Sequence, residues 1–268
     1  HPLVACVNHL RYDGLGLGNH DLDHGLPYLR AVAGAIDMPL ISTNLHLTDP
    51  GPLRHWAVVT CLLPAVGGHP SSTLQVGLLS VLPGRTAIWN REVLEDAAEI
   101  VSPLESLRSA ALTLRAEGAD LTVLLAHMGI PQKGEIAAEE DICALAQIEG
   151  IDAVITGHTH LRFPGADHGP RKGVDTQAGT LSNRPAAMPG FGGSDLAVLD
   201  LALERDARGG LAGVAASQPP ARQQRANAGR PRGAQCRADQ PHWHPQASGR
   251  GGRPHRDGAA QLLCPCHA

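Results

Sequence analysis

Three short stretches of this chain gather the side chains able to do chemistry: "GNHDLD" at 18–23, "LLAHMG" at 124–129 and "ITGHTH" at 155–160. They bring together an amide, several imidazoles and two carboxylates, each stretch containing a glycine. Imidazole nitrogens and an amide oxygen suit divalent zinc, manganese, iron, cobalt or nickel. Glycine lets backbone and ligands approach without a Cβ between them. The candidate ligands are Asn19, His127, His158 and His160. In GHTH the two imidazoles are expected on alternate positions of an extended turn, reaching two different ions, or one ion and a substrate. Most histidines are structural, and this chain has 15 of them. Three positions at predicted strand ends, in the order GNHD, His, GHTH, make a much more specific signal than any one alone. Asp21 and Asp23 also have a plain alternative reading, as acids favouring the start of the next helix. Asn44 and His46 read as loop polar groups rather than ligands.

These side chains need a scaffold, and the hydrophobic pattern supplies one. "GLPYLRAVAGAI" reads as a helix, and "MPLISTN" and "LQVGLLSVL" as strands. "SPLESLRSAALTLRAEG" carries helix punctuation, with Ser102 as N-cap, Pro103 at the first helical position, Glu105 closing a capping box and Gly118 as the stop. "ADLTVLLAH" is a continuous apolar run of the kind buried on both faces of a sheet. "AAEEDICALAQIEG" reads as an amphipathic helix and "IDAVITGH" as another strand. The predicted class is α/β, a layered sheet sandwich flanked by helices, with ligands collecting beyond strand ends.

The chain has 268 residues, 43% hydrophobic but only 3% aromatic, so its core must be built from Leu, Val, Ile and Ala. A net charge of -4 argues against a whole-chain binder of nucleic acid or of a membrane surface. No stretch reaches the ~20 apolar residues of a spanning helix, and "HPLVACVNHL" has no signal-peptide anatomy. Cys143 falls in a helical apolar pattern and reads as a buried thiol. Residues 1–206 form the expected folded unit. Residues 207–268 are low-complexity, with arginines throughout and Asp239 and Asp257 as the only acids, so a disordered basic tail is expected there. Its "HWH" and "CPCH" match no usual zinc spacing.

"GNHDLDHGL", "LLAHMGI" and "IDAVITGHTH" resemble the third, fourth and fifth motifs of the calcineurin-like metallophosphoesterases. "ISTNLH" and "VDTQAGTLSNRPAAMPGFGGSDLAVLDL" look like the bacterial 2',3'-cyclic-nucleotide 2'-phosphodiesterase/3'-nucleotidase branch, with a 5'-nucleotidase or UDP-sugar hydrolase type of enzyme as the alternative. The resemblance implies a periplasmic or cell-surface hydrolase that takes a small nucleotide as substrate. It would use two divalent ions, manganese, cobalt, zinc or magnesium, to activate water and neutralise phosphoryl charge. It places Asn19, His127 and His158 on the second ion and His160 with the first. His20 becomes the imidazole that stabilises the transition state or protonates the leaving oxygen, with Asp23 orienting it, while Asp21 supports the ligands from behind. It assigns no substrate-binding residue.

Two motifs of the family, an Asp-x-His and a Gly-Asp that carries the bridging carboxylate, do not precede His1. The chain is therefore expected to be N-terminally truncated, to bind one ion weakly and to catalyse poorly. The tail in turn suggests a reading-frame shift between about Leu203 and Leu211, testable by reading the coding DNA in all frames. A reading from a different class is an inactive metal-binding protein whose basic tail associates with nucleic acid, although the bulk charge argues against a nucleic-acid partner.

Overall fold

The computed structural model describes residues 2–63, 71–131, 141–169, 171–205, 211–216 and 222–225. The chain opens with α1 (Pro2–Leu10), β1 (Leu15–Gly16), a 3-10 turn (Asn19–Leu22), α2 (Leu26–Ala35), β2 (Leu40–Ile41) and β3 (Leu45–Leu47). Next come β4 (Trp56–Leu63), β5 (Ser72–Val81), α3 (Thr86–Trp89), α4 (Arg91–Leu94), β6 (Ala98–Ile100) and α5 (Pro103–Ala116). β7 (Leu121–Ala126), α6 (Ile142–Leu145), β8 (Ala153–Thr156), β9 (Arg162–Phe163), β10 (Val174–Asp175) and β11 (Thr180–Leu181) follow. The last described strands are β12 (Arg184–Pro189), β13 (Asp195–Val198), β14 (Leu201–Arg205), β15 (Leu211–Ala216) and β16 (Arg222–Arg225).

An eight-stranded mixed sheet runs β10-β11-β12-β8-β7-β5-β4, with β9 on β12. Its centre is parallel, β5 to β7, β7 to β8 and β8 to β12. Every residue of β7 is buried, as the unbroken apolar run requires of a strand covered on both faces. Alternation then sorts the side chains. Leu79, Val81, Leu124 and Val154 pack against Leu107, Ala111 and Leu114 of α5 on one face. Val76, Leu78, Val123, Leu125 and Ile155 face the other way, toward Ile41, Leu199, Leu201, Leu203 and Val214. A helix layer, a sheet and a second strand layer thus make the α/β sandwich read from the pattern.

α5 begins where its punctuation says: the Ser102 hydroxyl accepts from the Glu105 N–H at 3.4 Å, Pro103 follows, and Gly118 takes a φ of 90° beyond the end. "MPLISTN" is shorter than read. Its strand is only Leu40–Ile41, because β1 offers two residues to pair with, and Leu45–Leu47 turns away to pair with β6. Asn44, between them, is fully buried and structural, giving its amide to the Leu82 carbonyl at 2.9 Å and accepting from the Leu82 N–H at 2.9 Å. The helix expected over "AAEEDICALAQIEG" is only α6 among the described residues: it stops at Leu145 and residues 146–150 form turns and a bend, while residues 132–140 lie outside the described residues. Cys143 is buried as expected, and desolvation beside Asp141 pushes its thiol up to about 12, which keeps it inert.

Two described strands fall within residues 207–268: β15 pairs antiparallel with β14, and β16 with β13. Val214 reaches the apolar face formed by Leu199, Leu201 and Leu203, contacts that a search for helical or strand periodicity within the tail alone does not register. Residues 226–268 lie outside the described residues. Among the described residues no helix is long and apolar enough to cross a membrane.

Candidate metal centre

The side chains singled out by type are carried just beyond strand ends. β1 ends two residues before Gly18, and the 3-10 turn from Asn19 carries Asn19 and His20. β7 delivers His127 at its end, and β8 delivers His158 and His160. The His127 ring lies against Gly18 so closely that a Cβ there would sit 3.0–3.2 Å from three ring atoms. The His127 and His158 rings are 5.1 Å apart between centroids, edge to face at 68°. Asn19, the residue after Gly18, is buried, and its Oδ1 accepts no hydrogen bond among the described residues. A buried amide oxygen left without a donor is costly in a folded protein, and a cation is one way to satisfy it. One amide oxygen and two imidazoles match the donor set of a borderline divalent ion, so these residues fit a metal.

The neighbouring acids are committed elsewhere. Asp21 Oδ2 accepts the Gly18 N–H at 2.8 Å and so closes the turn that carries Asn19. His20 Nδ1 lies 2.9 Å from Asp23 Oδ2. A carboxylate only accepts, so Nδ1 carries the proton of that bond and Nε2 is left for chemistry. Both side chains are half exposed or more. Among the described residues no three His, Cys, Asp or Glu side chains come together as a metal group. The donors read from the sequence, one amide and the imidazoles, are neutral groups.

The GHTH turn differs from the extended form expected of it. His158 has φ 71° and His160 φ 61°, both in the left-handed region that non-glycine residues occupy only where surroundings impose it. The two imidazoles accordingly face different neighbours, His158 toward His127 and Trp89, His160 onto Phe191 at 5.3 Å. The loop after β7 helps impose this geometry. A Cβ on Gly129 would fall 2.0 Å from Thr159 Cγ2, so only glycine lets the two loops meet. Gly129→Ala is expected to push the GHTH turn outward, lower the thermal midpoint by several degrees and weaken manganese binding, measured by calorimetry and electron paramagnetic resonance. Unchanged midpoint and affinity would show that the close approach is dispensable.

Trp89 and Asn90 were not singled out from sequence. Trp89 stacks on His158 at 5.5 Å, and Asn90 Nδ2 reaches Asp23 Oδ1 at 3.5 Å. The one available signal was a tryptophan, one of three in an aromatic-poor chain. Beside the site a cavity of about 390 Å³ runs between α1 and the 3-10 turn, lined by His20, Asp23, Tyr28 and apolar residues such as Val7 and Leu17. A larger one, about 660 Å³ around Cys143, Arg171 and Ser182, includes none of these residues. Of the two, only the smaller is lined by His20 and Asp23.

Comparison with known proteins gives the family. The family model described as calcineurin-like phosphoesterase matches residues 14–162, more than half of the chain. The 2',3'-cyclic-nucleotide 2'-phosphodiesterase/3'-nucleotidase of Salmonella typhimurium is 32% identical over 214 residues, covering 77% of this chain and 32% of that protein. The trifunctional nucleotide phosphoesterase YfkN of Bacillus subtilis is 32% identical over 210 residues, 76% of this chain and 14% of its own length. The crystal structure of calcineurin-like phosphoesterase YfkN superposes with a TM-score of 0.74 at 28% identity, covering 84% of this chain and 67% of that one. The chain thus spans at most about a third of these two curated relatives. Motif order, the sheet sandwich and the matched family model together make this chain a member of the calcineurin-like phosphoesterase family, phosphoric ester hydrolases.

Proposed function

We propose that the protein hydrolyses nucleoside phosphates, as a 2',3'-cyclic-nucleotide 2'-phosphodiesterase and 3'-nucleotidase acting outside the cytoplasm. The observation that carries this reading is the buried, unpartnered Asn19 Oδ1 in the turn against which His127 packs, with His158 beside it. Asn19, His127 and His158 would hold one divalent ion, and His160, turned toward Phe191, would serve a second. Bound there, such ions supply positive charge for the phosphoryl oxygens and a water activated for attack.

The chain's own residues do the rest. Asp23 fixes the His20 imidazole, so that Nε2 can hold the proton required by the leaving ribose oxygen. In the first reaction that oxygen is one of the two ring ester oxygens, and in the second it is the 3'-oxygen. Asp21 holds the Gly18 amide and keeps Asn19 facing the site. Neutral donors alone attract ions weakly, so modest ion affinity is expected of these residues. The apolar cavity beside His20 is the nearest space for a nucleoside.

The test is hydrolysis of 2',3'-cyclic AMP, 3'-AMP and 5'-AMP by the purified chain, with added manganese or cobalt and after chelation. Metal-dependent release from the first two, slower from 5'-AMP, supports the reading. Preference for 5'-AMP would transfer it to the 5'-nucleotidase type, and no metal-dependent release from any substrate would overturn it.

A further inference from the structure

The contacts of Trp89 and Asn90 point to one device serving both halves of the site. We propose that these consecutive residues are positioning residues. Trp89 would set the plane of the His158 imidazole, and Asn90 would hold the Asp23 carboxylate that orients His20. This rests on the hydrolase reading given under Proposed function.

The dipeptide sits at the junction of the short helices α3 and α4, which follow β5. Its backbone is fixed from both sides. The Asn90 N–H donates to the Thr86 carbonyl at 2.9 Å, and the Asn90 carbonyl accepts from the Val93 and Leu94 amides at 3.0 Å. From that anchored point the two side chains diverge. The Trp89 indole lies over the His158 ring at 5.5 Å and 24°, while the His127 ring meets the same imidazole edge to face at 5.1 Å. His158 is therefore held between a stacked and a perpendicular ring, on a residue whose φ of 71° is kept only if its surroundings impose it. The indole is nevertheless 49% exposed, and neighbouring Ile88 is 72% exposed. Burial alone does not explain this placement of a tryptophan.

Asn90 is 8% exposed, and its Nδ2 is 3.5 Å from Asp23 Oδ1. That is the carboxylate oxygen His20 does not use, since Nδ1 bonds Oδ2. The carboxylate is thus restrained at both oxygens, one facing the imidazole and one facing the amide. The Asn90 Oδ1 is buried and accepts no hydrogen bond among the described residues.

The two contacts predict separable defects. Trp89→Ala should weaken manganese binding, read by electron paramagnetic resonance, by about 10–100-fold, the range for groups that orient ligands. Trp89→Phe keeps a stackable ring and should recover most of that loss. Asn90→Ala should leave manganese binding unchanged and lower kcat on 2',3'-cyclic AMP about 10-fold with little change in KM. In an Asp23→Asn background the further loss from Asn90→Ala should disappear, because the amide then has no carboxylate to hold. Wild-type manganese affinity in Trp89→Ala, or losses at Asn90 and Asp23 that simply multiply, would overturn the proposal while leaving the hydrolase reading intact. A wild-type chain that neither binds manganese nor hydrolyses these substrates would overturn the hydrolase reading, and this inference with it.

Discussion

Replacing His20 by alanine is expected to lower kcat on 2',3'-cyclic AMP by about 10²–10⁴-fold, the usual worth of a positioned acid or base. Manganese affinity should stay where it was, since the ring is bonded to Asp23 and is not among the proposed donors. The leaving group supplies a sharper test. A ribose oxygen departs as a poor alkoxide and needs a proton, whereas p-nitrophenolate departs without one. The loss should therefore be large on the cyclic nucleotide and much smaller on bis(p-nitrophenyl) phosphate. Equal losses on both substrates would mean that His20 acts on phosphoryl charge and not as the acid. Asp23→Asn should show the same substrate pattern at smaller amplitude, because an amide oxygen can still accept from Nδ1 but no longer stabilises the imidazolium.

His127→Ala is expected to have the second large effect, on metal binding. The ring packs over Gly18 and meets His158, so its removal takes away one of three gathered donors and also the partner that holds a second one. Manganese affinity should fall by more than the ~100-fold that loss of a supporting group produces, and metal-dependent hydrolysis should fall to the level seen after chelation. Asn19→Leu offers an independent check. It fills the buried position with apolar volume and removes the unpartnered Oδ1, so the fold should tolerate it or gain stability while ion binding is lost. Retained binding in either variant would place the ion elsewhere.

Much of the scaffold was legible because its signals are local. Ser102, Pro103 and Gly118 mark α5 through bonds and φ angles within a turn of themselves. The unbroken apolar run of β7 announces burial on both faces. Asn19, His20, His127 and His158 could be picked out for the same reason, since each follows a strand whose pattern can be read over a few residues. Even the His20–Asp23 bond spans only three positions.

Only the tertiary structure decided what depends on distant chain coming together. Asn90 meets Asp23 across 67 positions, and Trp89 finds His158 across a comparable gap. Gly129 is needed because Thr159 arrives within a Cβ's reach of it. Thr and His types do not announce the left-handed backbone of the GHTH turn, which neighbours impose and propensity opposes. Residues 211–216 and 222–225 look structureless in isolation and become strands only where β14 and β13 offer an edge. Types and spacing along this chain determined which atoms could bind an ion and move a proton. Which of them meet, and what holds them there, was decided by long-range packing, because its energy resides in pairs that the linear order does not place side by side.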